Sequence, residues 1–306
     1  MSQSKGFFLV LLTAIISGIS IFLNAFAVQG FDNAFVFTGM KNLIVAVFLI
    51  SVIVLSGQLN SVKNLTKKQW LSLSFIGLIG GSIPFLLYFY ALKLSTASAA
   101  GFLHKTIFVW ATILAFFFLK EKLSKKIVFG ALLLLTGNFF LFNSSFSFGF
   151  PELLVFIAVL FWSAENVLSK HVLKDLSSTV VAGGRMFFGS AFILLFLLFS
   201  NQLSVISVYS AGQWSWILLT SFLLFLYVLT FYSGLKHLSV SAATSVLLLG
   251  QPITALLSLI FLGKTISFSE AFGLVLIVCG VIIIAGFSFF VQALRLTGFF
   301  VGPEKN

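Results

Sequence analysis

Charged residues are scarce in this chain of 306 residues, since Asp, Glu, Lys and Arg together make up only 8% of it. A soluble domain carries about a quarter of such residues, because polar groups must cover its surface. Hydrophobic residues, by contrast, make up 60% of the chain and include 41 Phe. The shortage of charge therefore excludes a soluble fold and indicates a protein whose solvent is lipid.

Cysteine and acidic residues are also rare. The single cysteine, Cys279, excludes an intrachain disulfide and a cysteine-based metal site. There are only 7 acidic residues, and the H-E-x-x-H, G-x-S-x-G and P-loop motifs do not occur. Since no paired acidic dyad for intramembrane proteolysis is available either, we expect no catalytic site, metal or cofactor. The net charge of +11 is dispersed over short gaps between apolar runs, which argues against nucleic acid as a partner.

Long apolar runs fill most of the chain, and about 20 such residues suffice to span a bilayer. Ten runs qualify: Phe7–Val28, Phe35–Leu55, Trp70–Leu92, Ala97–Leu119, Lys126–Phe142, Pro151–His171, Val180–Phe199, Trp214–Leu235, Ala242–Leu262 and Phe268–Phe290. The gaps between them are too short for a soluble domain. The pattern predicts an all-α membrane protein with ten transmembrane helices.

The basic residues predict how these helices are oriented. With the N-terminus inside the cell, 13 of the 18 Lys and Arg residues fall in loops on the cytoplasmic side, and only Lys93 and Lys264 fall on the other side. Three more, Lys41, Lys105 and Arg185, lie within predicted helices. We therefore expect a multi-pass protein of the cell membrane with both termini in the cytoplasm.

An internal repeat divides the chain into two halves. When residue i is aligned with residue i + 143, 13 of 46 pairs between positions 92 and 137 and their counterparts are identical. The matched pairs include Lys93 with Lys236 and Gly137 with Gly280. Because each half contains an odd number of helices, five, the second half must cross the membrane upside down. We expect a first repeat over residues 1–146, a second, inverted repeat over 147–292, and a cytoplasmic tail over 293–306.

Short motifs in both halves resemble the EamA-type branch of the drug/metabolite transporter superfamily. The motifs are Ala91-Leu92-Lys93, Ser98-Ala99-Ala100, Phe118-Leu119-Lys120-Glu121-Lys122-Leu123, Gly234-Leu235-Lys236, Ser241-Ala242-Ala243, Gln251-Pro252 and Phe261-Leu262-Gly263-Lys264. Arg185 matches a basic residue that often opens the second helix of a repeat in that family. The resemblance implies ten helices, a central cavity between two halves, and export or exchange of amino acids or other small metabolites.

Ionisable residues deep in a membrane are costly and usually face a cavity or a partner. Lys105 lies about 12 Å into the fourth run at 1.5 Å per residue, and His104 precedes it. We expect both to face a cavity, on the helical face that also carries Gly101, Phe108 and Thr112. The alternative for Lys105 is that it snorkels to the interface or pairs structurally.

Glu165 is the only acidic residue well inside a predicted helix, with Trp162 and Asn166 as helical neighbours. Its carboxylate could exchange protons, or it could pair with Lys105 or Arg185. Arg185 and Lys41 lie at matching depths in the two halves, where either could line the cavity or snorkel.

Two further features could mark a binding site. Gln251 precedes Pro252, which interrupts the ninth predicted helix and frees a backbone carbonyl. Among the aromatic residues, Trp162 is the best candidate for the cavity, whereas Tyr88, Tyr90 and Tyr232 are more typical of an interfacial belt.

These observations favour a secondary transporter that moves a small polar metabolite, an amino acid or a related compound, across the cytoplasmic membrane by alternating access, with export as the expected direction. The expected partners are that small molecule and the lipid bilayer, with protons coupled through Glu165 as an additional hypothesis. Two alternatives remain: a flippase for a lipid-linked intermediate, and an intramembrane enzyme.

Overall fold

The computed structural model describes residues 3–94, 97–141, 148–203 and 209–286. Within these ranges every regular element is helical, as expected in lipid, where the backbone must satisfy its own hydrogen bonds. The helices of the first half are α1 Gln3–Ala27, α2 Ala34–Leu55, α3 Leu59–Lys63, α4 Lys67–Ile76, α5 Ile83–Leu94, α6 Ala97–Lys105, α7 Ile107–Leu119 and α8 Lys125–Phe140. Those of the second half are α9 Phe150–Val172, α10 Ser178–Phe199, α11 Ala211–Leu235, α12 Val240–Val246, α13 Gly250–Leu262 and α14 Phe268–Ala285.

Small polar residues start many of these helices. The side chains of Asn33, Ser177 and Ser239, for example, each accept a hydrogen bond from a backbone N–H in the first turn of the helix that follows. Such caps satisfy amides that have no partner within the helix. The polar gaps between the apolar runs thus define where the helices begin.

Nine helical stretches in the described ranges are long and apolar enough to cross a membrane. Ten were predicted, and the difference is the fifth run, where α8 has only 16 residues. At 1.5 Å per residue this is about 24 Å, less than the roughly 30 Å hydrocarbon core. The predicted cytoplasmic tail over 293–306 lies outside the described residues.

Three of the predicted helices are interrupted rather than continuous. A π-helical segment over Gly77–Ser82 separates α4 from α5, a turn at Thr106 separates α6 from α7, and a 3-10 segment over Leu247–Leu249 separates α12 from α13. The third break lies just before Pro252, whose ring nitrogen cannot donate to the carbonyl of Leu248. Such irregular backbone within a membrane is tolerated where protein or a cavity covers it.

Glycines allow several helices to pack at short distance. A Cβ on Gly137 would lie 2.6 Å from the carbonyl oxygen of Gly273, and a Cβ on Gly130 would lie 3.0 Å from that of Gly280. These four residues bring α8 and α14 into backbone contact. Van der Waals contact between small residues is the main attraction available to helices in lipid.

Lysine side chains at the ends of helices show which helix ends lie together. At one end of the bundle Lys93 donates hydrogen bonds to the carbonyl oxygens of Phe31 and Asp32. At the other end Lys236 donates to the carbonyl oxygen of Leu176 at 2.8 Å. We call these the Lys93 end and the Lys236 end.

Candidate functional site

A cavity of about 1020 Å³, including its open mouth, lies among helices from both halves of the chain. Six of the eight residues that the sequence singled out line it: Lys41, His104, Trp162, Glu165, Asn166 and Arg185. We call this space the central cavity.

Glu165 lies in a dense set of polar contacts within the central cavity. Its Oε1 accepts hydrogen bonds from the hydroxyls of Tyr232 and Ser169, and its Oε2 lies 3.9 Å from Nε of Arg185. Of the two partners considered for Glu165, Arg185 is therefore the one that the structure brings to it, while Lys105 is not. Oε1 therefore accepts two hydrogen bonds, whereas Oε2 is engaged only by the ion pair with Arg185.

Arg185 lies inside the bundle and is 5% exposed, so it does not snorkel. Its Nη2 donates to the carbonyl oxygen of Gly80 at 2.9 Å, while Nε is buried without a hydrogen-bond partner in the described residues. A guanidinium has five N–H donors. Arg185 can therefore bind a further acceptor without giving up its contact with Gly80.

Lys41 is also buried, at 2% exposure, and faces the cavity instead of an interface. Its Nζ donates to Oδ1 of Asn24 at 3.1 Å and lies 3.9 Å from the ring centroid of Phe89. The amide of Asn24 is in turn oriented by Nδ2, which donates to the backbone and side-chain oxygens of Ser20. In the described part of the chain no carboxylate pairs with Lys41.

The π-helical segment supplies backbone carbonyls to the site. The carbonyl oxygen of Gly80 accepts from Nε1 of Trp162 at 3.0 Å as well as from Arg185, and that of Gly81 accepts from Nδ2 of Asn42 at 3.0 Å. A Cβ on Gly80 would lie 2.2 Å from Cγ of Glu165. Glycine is therefore required here, because any side chain would displace the carboxylate.

Aromatic rings form one wall of the central cavity. The rings of Tyr88, His104 and Trp162 are mutually 5.2–5.5 Å apart, in tilted or edge-on geometry. Tyr232 is buried and bonded to Glu165, so the expectation that Tyr88 and Tyr232 anchor an interface is wrong for both. Tyr90, by contrast, is exposed and stacks on Phe35 outside the cavity.

The remaining two predicted residues, Lys105 and Gln251, line a different space, which we call the second cavity. It occupies about 840 Å³, including its open mouth, among α1, α6, α8, α13 and α14. The expectation that His104 and Lys105 share one cavity-facing surface is therefore wrong. They are consecutive at the end of α6, so their side chains diverge by about 100°.

Some lining residues had no sequence signal strong enough to select them. Asn24 stands out only as an amide within the first apolar run, and Phe85 and Phe89 are two among 41 Phe. Tyr232 resembles an interfacial tyrosine because it lies near the end of its run. In the described ranges no group of three or more His, Cys, Asp or Glu side chains could hold a metal ion.

Comparison with known proteins gives consistent results. One relative, the uncharacterized transporter YetK of Bacillus subtilis (strain 168), is 30% identical over 257 residues, which cover 77% of this chain and 75% of the relative. An uncharacterized transporter of Clostridium kluyveri is 26% identical over 299 residues, covering 92% of this chain and 93% of the relative. A crystal structure that is 23% identical has the same fold, with a TM-score of 0.72 over 94% of this chain and 97% of the other.

The profile of the EamA-like transporter family matches the chain twice, over residues 4–143 and 149–286. Together the two matches cover nearly the whole sequence, and the nine apolar helices described above agree with a membrane transporter. The chain is therefore a multi-pass membrane protein with two EamA domains, and it belongs to the EamA-like transporter family of the drug/metabolite transporter superfamily, whose members are transporters rather than enzymes.

Proposed function

We propose that this protein transports a small polar metabolite with a carboxylate group, an amino acid or a related compound, by alternating access. One observation carries the proposal. Among the described residues, the central cavity is lined by two cationic side chains, Lys41 and Arg185, but by a single carboxylate, Glu165, which forms an ion pair with Arg185 and accepts two hydrogen bonds. Since an unmatched charge is costly within a membrane, the excess cation is best explained by an anionic substrate.

The substrate carboxylate would bind between Lys41 and Arg185, both of which lie against the ring of Phe85, at 6.0 Å and 5.5 Å from its centroid. Free donors on Arg185 suit the planar geometry of a carboxylate. The aromatic wall that includes Trp162 would pack against the rest of the molecule. This assignment prefers Lys41 over Lys105 as the second cation, because Lys105 faces the second cavity.

Alternating access would follow from two inverted five-helix repeats, over residues 1–146 and 147–292. Support comes from the repeat-related residues Lys93 and Lys236, which lie at opposite ends of the bundle. Each binds backbone carbonyls in the loop after the first helix of its own half, at Phe31 and Asp32 for Lys93 and at Leu176 for Lys236. Two halves related in this way can exchange conformations.

We further propose that α8 is the tenth transmembrane helix despite its short length. It packs along α14 through glycines on both helices. A short helix can span by local thinning of the bilayer and by snorkelling of flanking residues such as Lys125 and Lys126. With ten crossings and the observed distribution of basic residues, the Lys236 end and both termini would lie in the cytoplasm. We propose export as the direction of transport, as the resemblance implies.

Transport assays in proteoliposomes test this function. Purified protein is reconstituted, the vesicles are loaded with individual unlabelled amino acids and hydroxy acids, and counterflow of the labelled compound is measured. We expect counterflow of at least one carboxylate and none of matched amides that lack the charge. Counterflow of no carboxylate, together with movement of a labelled lipid between leaflets, would favour a flippase instead.

Proton coupling is tested in the same vesicles. The variant Glu165→Gln retains the shape of the side chain and removes its charge. If Glu165 carries the coupled proton, the variant loses the dependence of transport on an imposed pH gradient. Wild-type rates with wild-type gradient dependence in Glu165→Gln would exclude coupling through this residue.

A further inference from the structure

The second cavity contains a lysine that the proposed function does not use. The side chain of Lys105 is 4% exposed and lines the cavity. In the described part of the chain its Nζ has neither a hydrogen-bond acceptor nor an ion-pair partner. A buried ammonium without a partner is strongly disfavoured, so a ligand that supplies an acceptor would stabilise this arrangement.

The turn at Thr106 explains how Lys105 reaches this cavity. The hydroxyl and the amide of Thr106 both bond to the carbonyl oxygen of Leu103, at 2.7 Å and 3.0 Å, and so close the last turn of α6. His104 is then directed to the central cavity and Lys105 to the second cavity. Of the residues that the structure describes, only Ile21 lines both spaces.

A chain of amides lines the same cavity as Lys105 and ends in a free acceptor. Nδ2 of Asn138 donates to the carbonyl oxygen of Phe102 at 3.1 Å, and Nε2 of Gln251 donates to Oδ1 of Asn138 at 2.7 Å. Because a backbone carbonyl only accepts, this chain determines the orientation of both amides. Oε1 of Gln251 is left buried without a partner in the described residues.

Other polar groups of the second cavity are already bonded. The hydroxyls of Thr254 and Ser258 donate to backbone carbonyls of their own helix or of α1. At the mouth, Nζ of Lys264 lies 3.7 Å from Oε1 of Glu270, whose Oε2 accepts from the amide of Ser267. Among the buried side chains of the described residues that line this cavity, the unsatisfied groups are therefore one cation and one neutral acceptor.

We propose that the second cavity is a binding site for a small α-hydroxy or α-amino carboxylate. The carboxylate binds Nζ of Lys105, and the adjacent hydroxyl or ammonium donates to Oε1 of Gln251. This site is separate from the central cavity and does not depend on Lys41 or Arg185. It goes beyond the proposed function, because it gives the protein a second place to hold a ligand of the same chemical class.

Equilibrium dialysis of labelled L-lactate against the purified full-length protein tests the site, with propionate as the probe that lacks the hydroxyl. Four proteins are compared: wild type, Lys41→Met, Lys105→Met and the double variant, with the exposed Lys63→Met as a control for loss of a charge. We expect two binding sites in wild type, one in each single variant and none in the double variant. Lys105→Met weakens the second site by about 10- to 100-fold, the usual cost of a lost charged hydrogen bond.

The variant Gln251→Leu provides an independent test should Lys105→Met fail to fold. In a Lys41→Met background it reduces the preference for lactate over propionate and leaves propionate binding unchanged. The site is refuted if Lys105→Met, or Gln251→Leu in its place, binds lactate and propionate as its parent does. It is also refuted if Lys41→Met alone abolishes all binding, since a single shared site would then account for the ligand. That result would leave the central cavity intact as the transport site, so the two proposals fail separately.

Discussion

Replacement of Lys41 by Met separates the stability of the central cavity from its function. Methionine has a similar length and flexibility, so it fills the same space without a charge. The substitution removes the hydrogen bond to Asn24 at 3.1 Å and the contact with the ring of Phe89 at 3.9 Å. It also removes the penalty for holding an ammonium group away from water.

These contributions oppose one another. A hydrogen bond to a charged group contributes about 1.5–3 kcal/mol, and a desolvated cation–π contact contributes about 2 kcal/mol. The desolvation penalty of a buried ion is several kcal/mol. Since the favourable and unfavourable parts are of similar size, we expect the stability of Lys41→Met to lie within about 2 kcal/mol of wild type.

Substrate binding responds differently, because the variant loses the ion that faces the carboxylate. We expect a loss of about 1.5–3 kcal/mol in binding free energy, or roughly a 10- to 100-fold weaker affinity. Thermal melting in detergent measures both quantities, as the melting temperature without ligand and as its increase with ligand. Lys63→Met, which removes an exposed lysine, is the matched control.

Two results would refute this reasoning. If Lys41→Met bound the carboxylate as tightly as wild type, Lys41 would not contact the substrate. If the variant failed to fold although Lys63→Met was normal, Lys41 would be a structural residue, and the excess charge of the cavity would need another explanation.

Three further predictions concern packing, capping and the buried carboxylate. Gly137→Ala should lower the melting temperature by the equivalent of about 1–3 kcal/mol, because the new Cβ would lie 2.6 Å from a carbonyl oxygen of α14. The control Gly212→Ala should not lower it, since no atom lies nearer than 3.8 Å to that Cβ. Equal melting temperatures for the two variants would contradict the glycine contact. Glu121→Gln should speed hydrogen exchange at the first two amides of α12, because these amides donate to the Glu121 carboxylate at 2.7 Å and 3.2 Å. Unchanged exchange would show that the contact does not stabilise this helix end. Tyr232→Phe should destabilise the protein by about 1.5–3 kcal/mol in thermal melting, because it removes a hydrogen-bond donor to the buried carboxylate of Glu165. Tyr227→Phe removes a hydroxyl from the same cavity and should have a smaller effect. A larger effect of Tyr227→Phe would contradict the hydrogen bond between Tyr232 and Glu165.

The sequence predicted cavity residues correctly where a side chain would be energetically costly in contact with lipid. Ionisable side chains within apolar runs are few, and their cost indicates that they face protein. This reasoning selected Lys41, Glu165 and Arg185, which the structure brings into one cavity. The ends of the helices followed from the same contrast between polar gaps and apolar runs.

Features that depend on local backbone geometry could not be predicted. The π-helical segment directs two glycine carbonyls into the bundle, and the turn at Thr106 sends His104 and Lys105 in different directions. Neither follows from hydrophobic periodicity, because both change the rotation of a helix by a fraction of a turn. The fifth run was counted as a full span although it has only 17 residues, and α8 has 16.

Neutral polar and aromatic residues of the central cavity could not be predicted from the sequence either. Asn24 and Tyr232 have no charge that would mark them, yet one orients Lys41 and the other binds Glu165. Their roles depend on which helices pack together, and a single sequence does not reveal this. A neutral polar residue within an apolar run therefore indicates a cavity less reliably than a charged residue does.

Accessibility of the central cavity from the two sides of the membrane tests the account most directly and requires no knowledge of the substrate. In a Cys279→Ser background, a single cysteine replaces Ser20, which lines the cavity. A membrane-impermeant thiol reagent is then added to oriented vesicles from one side or the other. Alternating access predicts that the cysteine is labelled from both sides, whereas labelling from one side only would contradict it.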